Sequence, residues 1–331
     1  MKNRWFVVCA FIVCLAPVLS AQEAQKKSEK EIAQRDYQYQ GEYVGELGAD
    51  GQTQRMGMQV IAIGNGQFKV KAFNEGLPGD GWNGEAHEEI KAIGKLNDQG
   101  VVEFRGYHRG NADIMKDGTM KISLPDGSPY GELKKTVRKS ETLGAKPPAN
   151  AEVLFDGSSV EGWKKGRLSD EGHLMQGTTS KKTFGSHHLH IEFLLPFQPT
   201  KSGQARGNSG IYVQGRYEVQ MLDSFGLEPA HNLCGGIYSV KPPKMNMCFP
   251  PMTWQTYDID FTEAKYDEAG KQTKAATMTV KHNGVLIHED VELPPRKTTA
   301  APVNPGPEPG PVYLQDHGNP VRYRNIWVLA K

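Results

Sequence analysis

The stretch ATMTVKHNGVLIHEDV, Ala276 to Val291, decides the fold class. Met278 and Val280 alternate with Thr277, Thr279 and Lys281, the two-residue period of a strand with one buried face. Asn283-Gly284 interrupts the run, and Val285–Val291 resumes it; that dipeptide is the one a two-residue hairpin turn favours. Outward from this hairpin, strand-like runs recur at Leu189–Leu195, Gly210–Val213, Tyr217–Leu222, Trp254–Phe261, Val312–Gln315 and Ile326–Leu329. No stretch holds a helical period. Many short strands from 151 to 331 predict a two-sheet jelly roll.

Upstream, residues 37–140 carry a second set of short runs, Met58–Ile63, Phe68–Phe73, Val101–Tyr107 and Met120–Leu124, with Gly64-Asn65-Gly66 as a hairpin hinge. The chain is therefore expected to be all-β, a small all-β domain preceding a larger one. Residues 141–150, with Pro147-Pro148, read as a linker. Residues 22–36 read as a charged tether with little to bury. Seven prolines among residues 294–311 predict an extended loop inside the second domain, either disordered or a cover over a site.

The first 21 residues have the layout of a secretory leader: Lys2 and Arg4, an apolar run from Trp5 to Leu19, then Ser20 and Ala21. Export to the periplasm or the exterior is expected, with cleavage near residues 20–22. No later segment is long and apolar enough for stable membrane insertion. Loss of the leader removes two basic residues and no acid, turning a formal +1 into −1. Such a balance offers no electrostatic footprint for nucleic acid. Protein partners cannot be read from the sequence. Of four cysteines, Cys9 and Cys14 leave with the leader; Cys234 and Cys248 remain as a candidate disulfide or as two buried thiols.

The densest polar constellation in strand-like sequence is Tyr217-Glu218-Val219-Gln220-Met221-Leu222-Asp223. Alternation places Glu218 and Gln220 on one face and Val219 and Met221 on the other. A one-residue bulge near Met221-Leu222 would bring Asp223 round to join Glu218. His188, His190 and Glu192 also alternate with apolar residues, but three ligands along one straight strand span too far to grip one ion. No metal site and no cofactor are predicted, and a divalent metal requirement is left open.

Residues 151–331 resemble the 3-keto-disaccharide hydrolase domain family. The resemblance rests on blocks in shared order: Leu154-Phe155-Asp156-Gly157 with Gly162-Trp163, Leu189–Phe193, Arg206–Gly210, Tyr217–Ser224, Gly235–Tyr238, Trp254–Ile259, His282–Gly284, Leu314–Gly318 and Arg322–Ile326. The proline-rich loop departs from the shorter loops of the family. The resemblance implies a concanavalin-like jelly-roll β-sandwich that cleaves a glycosidic bond in a sugar oxidised to a ketone at C3. A carbonyl at C3 acidifies the proton on C2; its removal expels the C1 substituent, and water then adds.

On that reading Glu218 is the candidate base. Asp223 is the proton donor or the holder of an arginine. His317, at a strand end, can give or take a proton near neutrality. Asn208 and Gln220 would bind sugar hydroxyls or the enolate oxygen, Arg324 would neutralise enolate charge or pair with Glu218, and Tyr238 would line the pocket. Two alternatives stand beside it. One is a conventional retaining glycoside hydrolase of laminarinase-like type, using Glu218 and Asp223 as a close carboxyl pair. The other is a lectin-like carbohydrate-binding module without turnover.

Overall fold

The computed structural model describes residue 31 and residues 34–49, 51–85 and 90–331. The leader and most of the charged tether fall outside the described residues. Eight strands form the first unit: β1 (Gly41–Ala49), β2 (Gln52–Gly64), β3 (Gln67–Asn74), β4 (Gly94–Leu96), β5 (Val102–Tyr107), β6 (Gly110–Ile114), β7 (Thr119–Ser123) and β8 (Pro129–Thr136). They meander in sequence order and close, β1 pairing with both β2 and β8. Closure leaves no free sheet edge. Tyr39, Tyr43, Val60, Ala62, Phe68, Val102, Ile114 and Leu133 pack inside.

Fourteen more strands follow. They are β9 (Glu152–Phe155), β10 (Trp163–Lys164), β11 (Leu174–Met175), β12 (Thr178–Phe184), β13 (His187–Leu194), β14 (Ser209–Val213) and β15 (Tyr217–Met221). Then come β16 (Trp254–Thr262), β17 (Lys265–Tyr266), β18 (Gln272–Lys274), β19 (Thr277–His282), β20 (Val285–Glu292), β21 (Gly310–Leu314) and β22 (Arg322–Ala330). A five-stranded sheet runs β10-β12-β21-β14-β15; a seven-stranded sheet runs β11-β22-β13-β16-β19-β20, with β9 joined to β22. Their inner faces meet in one core: Ile211, Val219, Met221 and Leu314 from the first sheet, Leu189, Ile191, Phe193, Ile259, Val280 and Tyr323 from the second. The β19–β20 turn has φ of 53° at Asn283 and 87° at Gly284, the paired positive values that a type I′ hairpin demands. Among the described residues no helix is long and apolar enough to cross a membrane.

Of the two states open to Cys234 and Cys248, a disulfide or a pair of buried thiols, the structure has the second. Both are free, buried thiols lying against one another, and Cys234 Sγ is 3.2 Å from the Tyr257 hydroxyl. They serve the core as small hydrophobes.

Residues 140–145 do more than connect. They lie across the outer face of the seven-stranded sheet: Ser140 Oγ meets Thr256 Oγ1 at 2.6 Å, Thr142 Oγ1 donates to Asp258 at 2.6 Å, and Gly144 N–H donates to Glu192 at 2.6 Å. The barrel also touches the sandwich directly, through Arg206 Nη1 to Ala62 O at 3.1 Å and Lys71 to Glu228 at 2.7 Å.

Candidate active site

Strand β15 is the outermost of its sheet, yet its edge is covered. Gly235 N–H reaches Gln220 O, Gln220 N–H reaches Gly236 O, and Tyr238 N–H reaches Glu218 O, all at 2.9–3.0 Å. Glu218 N–H donates to Thr298 Oγ1 at 2.9 Å, so the proline-rich segment covers the rest. Arg216 staples that segment down, donating to Asn304 O at 2.8 Å and Glu308 O at 2.9 Å. Of the two fates the sequence left open for this loop, the structure shows the cover.

With Val219 and Met221 committed to the core, Glu218 and Gln220 point outward and meet alternating residues of β14 and β21. Tyr212 lies opposite Glu218 in the β14–β15 ladder, and Gly210 lies opposite Gln220. Glu218 is 3% exposed. Its Oε2 accepts from the Tyr212 hydroxyl at 2.7 Å, and that hydroxyl accepts from Gln315 Nε2 at 3.0 Å. Glu218 Oε1 has no hydrogen-bond partner among the described residues. The carboxyl folds over Gly210, where a Cβ would stand 2.2 Å from Oε1. Burial, only partly offset by the Tyr212 hydrogen bond, raises the Glu218 pKa from 4.5 to about 7. Burial and then the Glu218 charge push Tyr212 far above the ordinary phenol range, so its hydroxyl stays a donor.

Gln220 Nε2 donates to Asn208 Oδ1 at 2.9 Å, and Asn208 Nδ2 donates to Gln204 O at 2.8 Å. Gln220 shares the outward face of Glu218 as alternation predicts, and Asn208 orients it there. A hollow of about 70 Å³ adjoins Glu218, lined by Tyr238, Arg296, Lys297 and Thr298 among others. It has room for roughly two waters at their liquid volume.

Two expected members, Asp223 and Arg324, stand elsewhere, and a third, His317, makes no bond to Glu218. Strand β15 ends at Met221, and no bulge returns Asp223 to the face of Glu218. The Asp223 carboxylate is enclosed with Arg206, Oδ2 to Nε at 2.6 Å, where the sandwich meets the barrel. Of its two candidate roles, holding an arginine is the observed one. Arg324 lies on the other sheet, with Tyr323 beside it taking the inward position; it pairs with Glu192 at 2.6 Å and stacks 4.1 Å above Trp254. It reaches neither Glu218 nor the hollow. His317 is exposed in the turn after β21, and no hydrogen bond or ion pair links its ring to Glu218 or Asp223. In their place the fold supplies Tyr212, Gln315 and Gly210. Parity along Gly210-Ile211-Tyr212-Val213 gives the outward position of Tyr212, but its pairing with Glu218 is a property of the ladder register.

His188, His190 and Glu192 do share one outward face, on β13. Among the described residues no group of three or more His, Cys, Asp or Glu side chains is arranged to hold a metal ion. His190 Nδ1 instead meets Asp258 at 2.6 Å and its ring stacks on Trp327 at 5.1 Å. Glu192 takes hydrogen bonds from Gly144 N–H, Asn325 and Arg324. Against the cost of burial, His190, Asn325, Arg324 and Gly144 hold its pKa at about 2.

The family described as the 3-keto-alpha-glucoside-1,2-lyase-like domain matches residues 150–329. The chain belongs to that family. Among solved structures, a candidate glycosyl hydrolase from Parabacteroides distasonis ATCC 8503 is 31% identical, with a TM-score of 0.51; the match covers 56% of this chain and 85% of that one. A second candidate glycosyl hydrolase from the same organism is 17% identical, with a TM-score of 0.39, over 55% of this chain and 99% of that one. No curated protein matches the chain. Family and neighbour together give the chain a glycoside-related function.

Proposed function

We propose that the sandwich cleaves 3-keto-glycosides by elimination followed by hydration, with Glu218 as the base. The single observation that carries this reading is a carboxyl held near pKa 7 on a rigid strand, one oxygen fixed by Tyr212 and the other lying over Gly210, in a residue that also borders a hollow. A base with that pKa is half ionised at neutral pH, where proton transfer is most effective. Glu218 takes the proton from C2, and the electron pair passes into the C3 carbonyl as an enolate. As the carbonyl re-forms, the C1–O bond breaks and a 1,2-unsaturated ketone is left. Water adds at C1, its proton passing through solvent to the expelled alkoxide, and Glu218, having exchanged its proton with solvent, protonates C2, so the net reaction is hydrolysis. Arg296 and Lys297 supply positive charge beside the hollow for the enolate oxygen, and Tyr238, in the same lining, supplies hydrogen bonds for sugar hydroxyls. The hollow is too small for a disaccharide, so substrate entry requires the 294–299 segment to shift. The leader-like residues 1–21 support export of the enzyme.

The decisive experiment compares a 3-keto-disaccharide with its unoxidised parent in heavy water. Elimination predicts cleavage of the ketone alone, with solvent deuterium at C2 of the product. Cleavage of the parent alone, or a product without deuterium, would overturn the mechanism. Glu218 lacks a carboxylate partner, since Asp223 is bound to Arg206, and this weighs against a laminarinase-like pair.

A further inference from the structure

The barrel fits no part of the reaction above, and part of its interior is open. An eight-stranded barrel either packs its bore with side chains or holds one small ligand. Here one end is plugged by Tyr39, Tyr43, Phe68, Ile114 and Leu133. That is also the end that meets the sandwich, through Ala62 and Gly64. Toward the other end the inward positions shrink. Along β3 they run Phe68, Val70, Ala72, Asn74, and along β6 Ile114 gives way to Ala112 and Gly110. The result is an open cavity of about 810 Å³. Met56, Met58, Ala72, Phe104, Ala112 and Ile122 line its depth, and Gln54, Asn74, His108 and Arg109 stand among the residues lining it as well.

A cavity of that size lies in the range that encloses a whole small molecule, and an apolar wall with a few polar groups is the composition such sites have. Water in contact with the methionines, alanines and Phe104 is displaced favourably by hydrocarbon. Met56 and Met58 add side chains that adapt to an irregular ligand. The amides of Gln54 and Asn74 then select a ligand whose polar end accepts hydrogen bonds. We infer that the barrel is a binding site for a single small amphiphile, its hydrocarbon body in the bore and a hydrogen-bond-accepting end, such as a carboxylate, among the polar groups. The inference does not depend on the proposed reaction.

The test uses the full chain and anilinonaphthalene sulfonate, an aromatic body with an acceptor end. Binding should be saturable, with one probe per chain, and decanoate should displace it. Ala72→Phe and Ala112→Phe each fill the bore from a different strand and should weaken probe and decanoate binding at least about tenfold. Far-UV circular dichroism and the unfolding temperature report whether each variant keeps its fold. Glu218→Gln should bind both as the parent does. Probe binding that survives both fillings in folded protein, that decanoate leaves untouched, or that never saturates would overturn the assignment. So would loss of binding in Glu218→Gln, which would place the probe in the sandwich.

Discussion

Glu218 and Glu192 occupy equivalent places on opposite outer faces of one sandwich, and they have opposite chemistry. Each alternates outward from a strand whose other residues build the core, and they are 3% and 1% exposed. Burial alone would raise both. Glu218 receives one hydrogen bond, from Tyr212, and rises to about 7. Glu192 receives Gly144 N–H, Asn325 and Arg324, and falls to about 2. Donor supply, rather than depth, separates a carboxyl that can exchange a proton at neutral pH from one that is a fixed anion anchoring a strap of chain.

Glu218→Gln should break this contrast most severely. Loss of the base predicts a fall in kcat of about 10³–10⁴ in a steady-state assay on a 3-keto-glycoside. The same variant should be the more stable protein in alkali. The folded carboxyl titrates above its free value of 4.5, so ionisation costs the fold stability as pH climbs from 4.5 through about 7. At pH 8 removing that cost is worth up to about 3 kcal/mol, readable as a higher unfolding temperature for the variant. Below pH 4.5 the two proteins should unfold alike.

Gly210→Ala should come next. A Cβ 2.2 Å from Glu218 Oε1 drives the carboxyl from its place, with an expected loss of about 10² in kcat. Circular dichroism should show the sheet retained. Glu192→Gln should move stability and not turnover. Breaking the pair with Arg324 is expected to cost about 2 kcal/mol at pH 7, measured by denaturant unfolding, with kcat unchanged. Because Glu192 is held down, its contribution is present above pH 4.5 and lost as pH falls toward 2, so the variant should lose its disadvantage in acid.

Tyr212→Phe should be the mildest. It removes the bond that favours ionised Glu218, so the inflection in kcat/KM should move upward from about 7 by about one unit. In the parent, kcat/KM should rise with pH through that inflection. A fall instead would mean that protonated Glu218 is the active form, as acid-first hydrolysis requires.

The pattern of alternation carried most of the fold. The Asn283-Gly284 turn, the outward pairing of Glu218 with Gln220 and the inward Val219 and Met221 all follow from a period of two and one dipeptide. What alternation cannot carry is which strand lies beside which, or which sheet holds it. Arg324 and Glu218 both face outward, but from different sheets, so Arg324 pairs with Glu192 instead. Asp223 was brought to the site by a bulge, whereas the strand ends at Met221 and a distant arginine claims the acid. Tyr212 and Gln315 join Glu218 only through the ladder order β21-β14-β15, and that order is a long-range property of closing the sandwich.

The strap at residues 140–145 sets where this protein can be cut. The family match begins at residue 150, and a fragment excised there would carry every strand of the sandwich. It would nonetheless shed Thr142 and Gly144, baring Asp258 and stripping Glu192 of one of its donors. An independent sandwich is better begun ahead of Ser140, so that this short run travels with the sheet it seals.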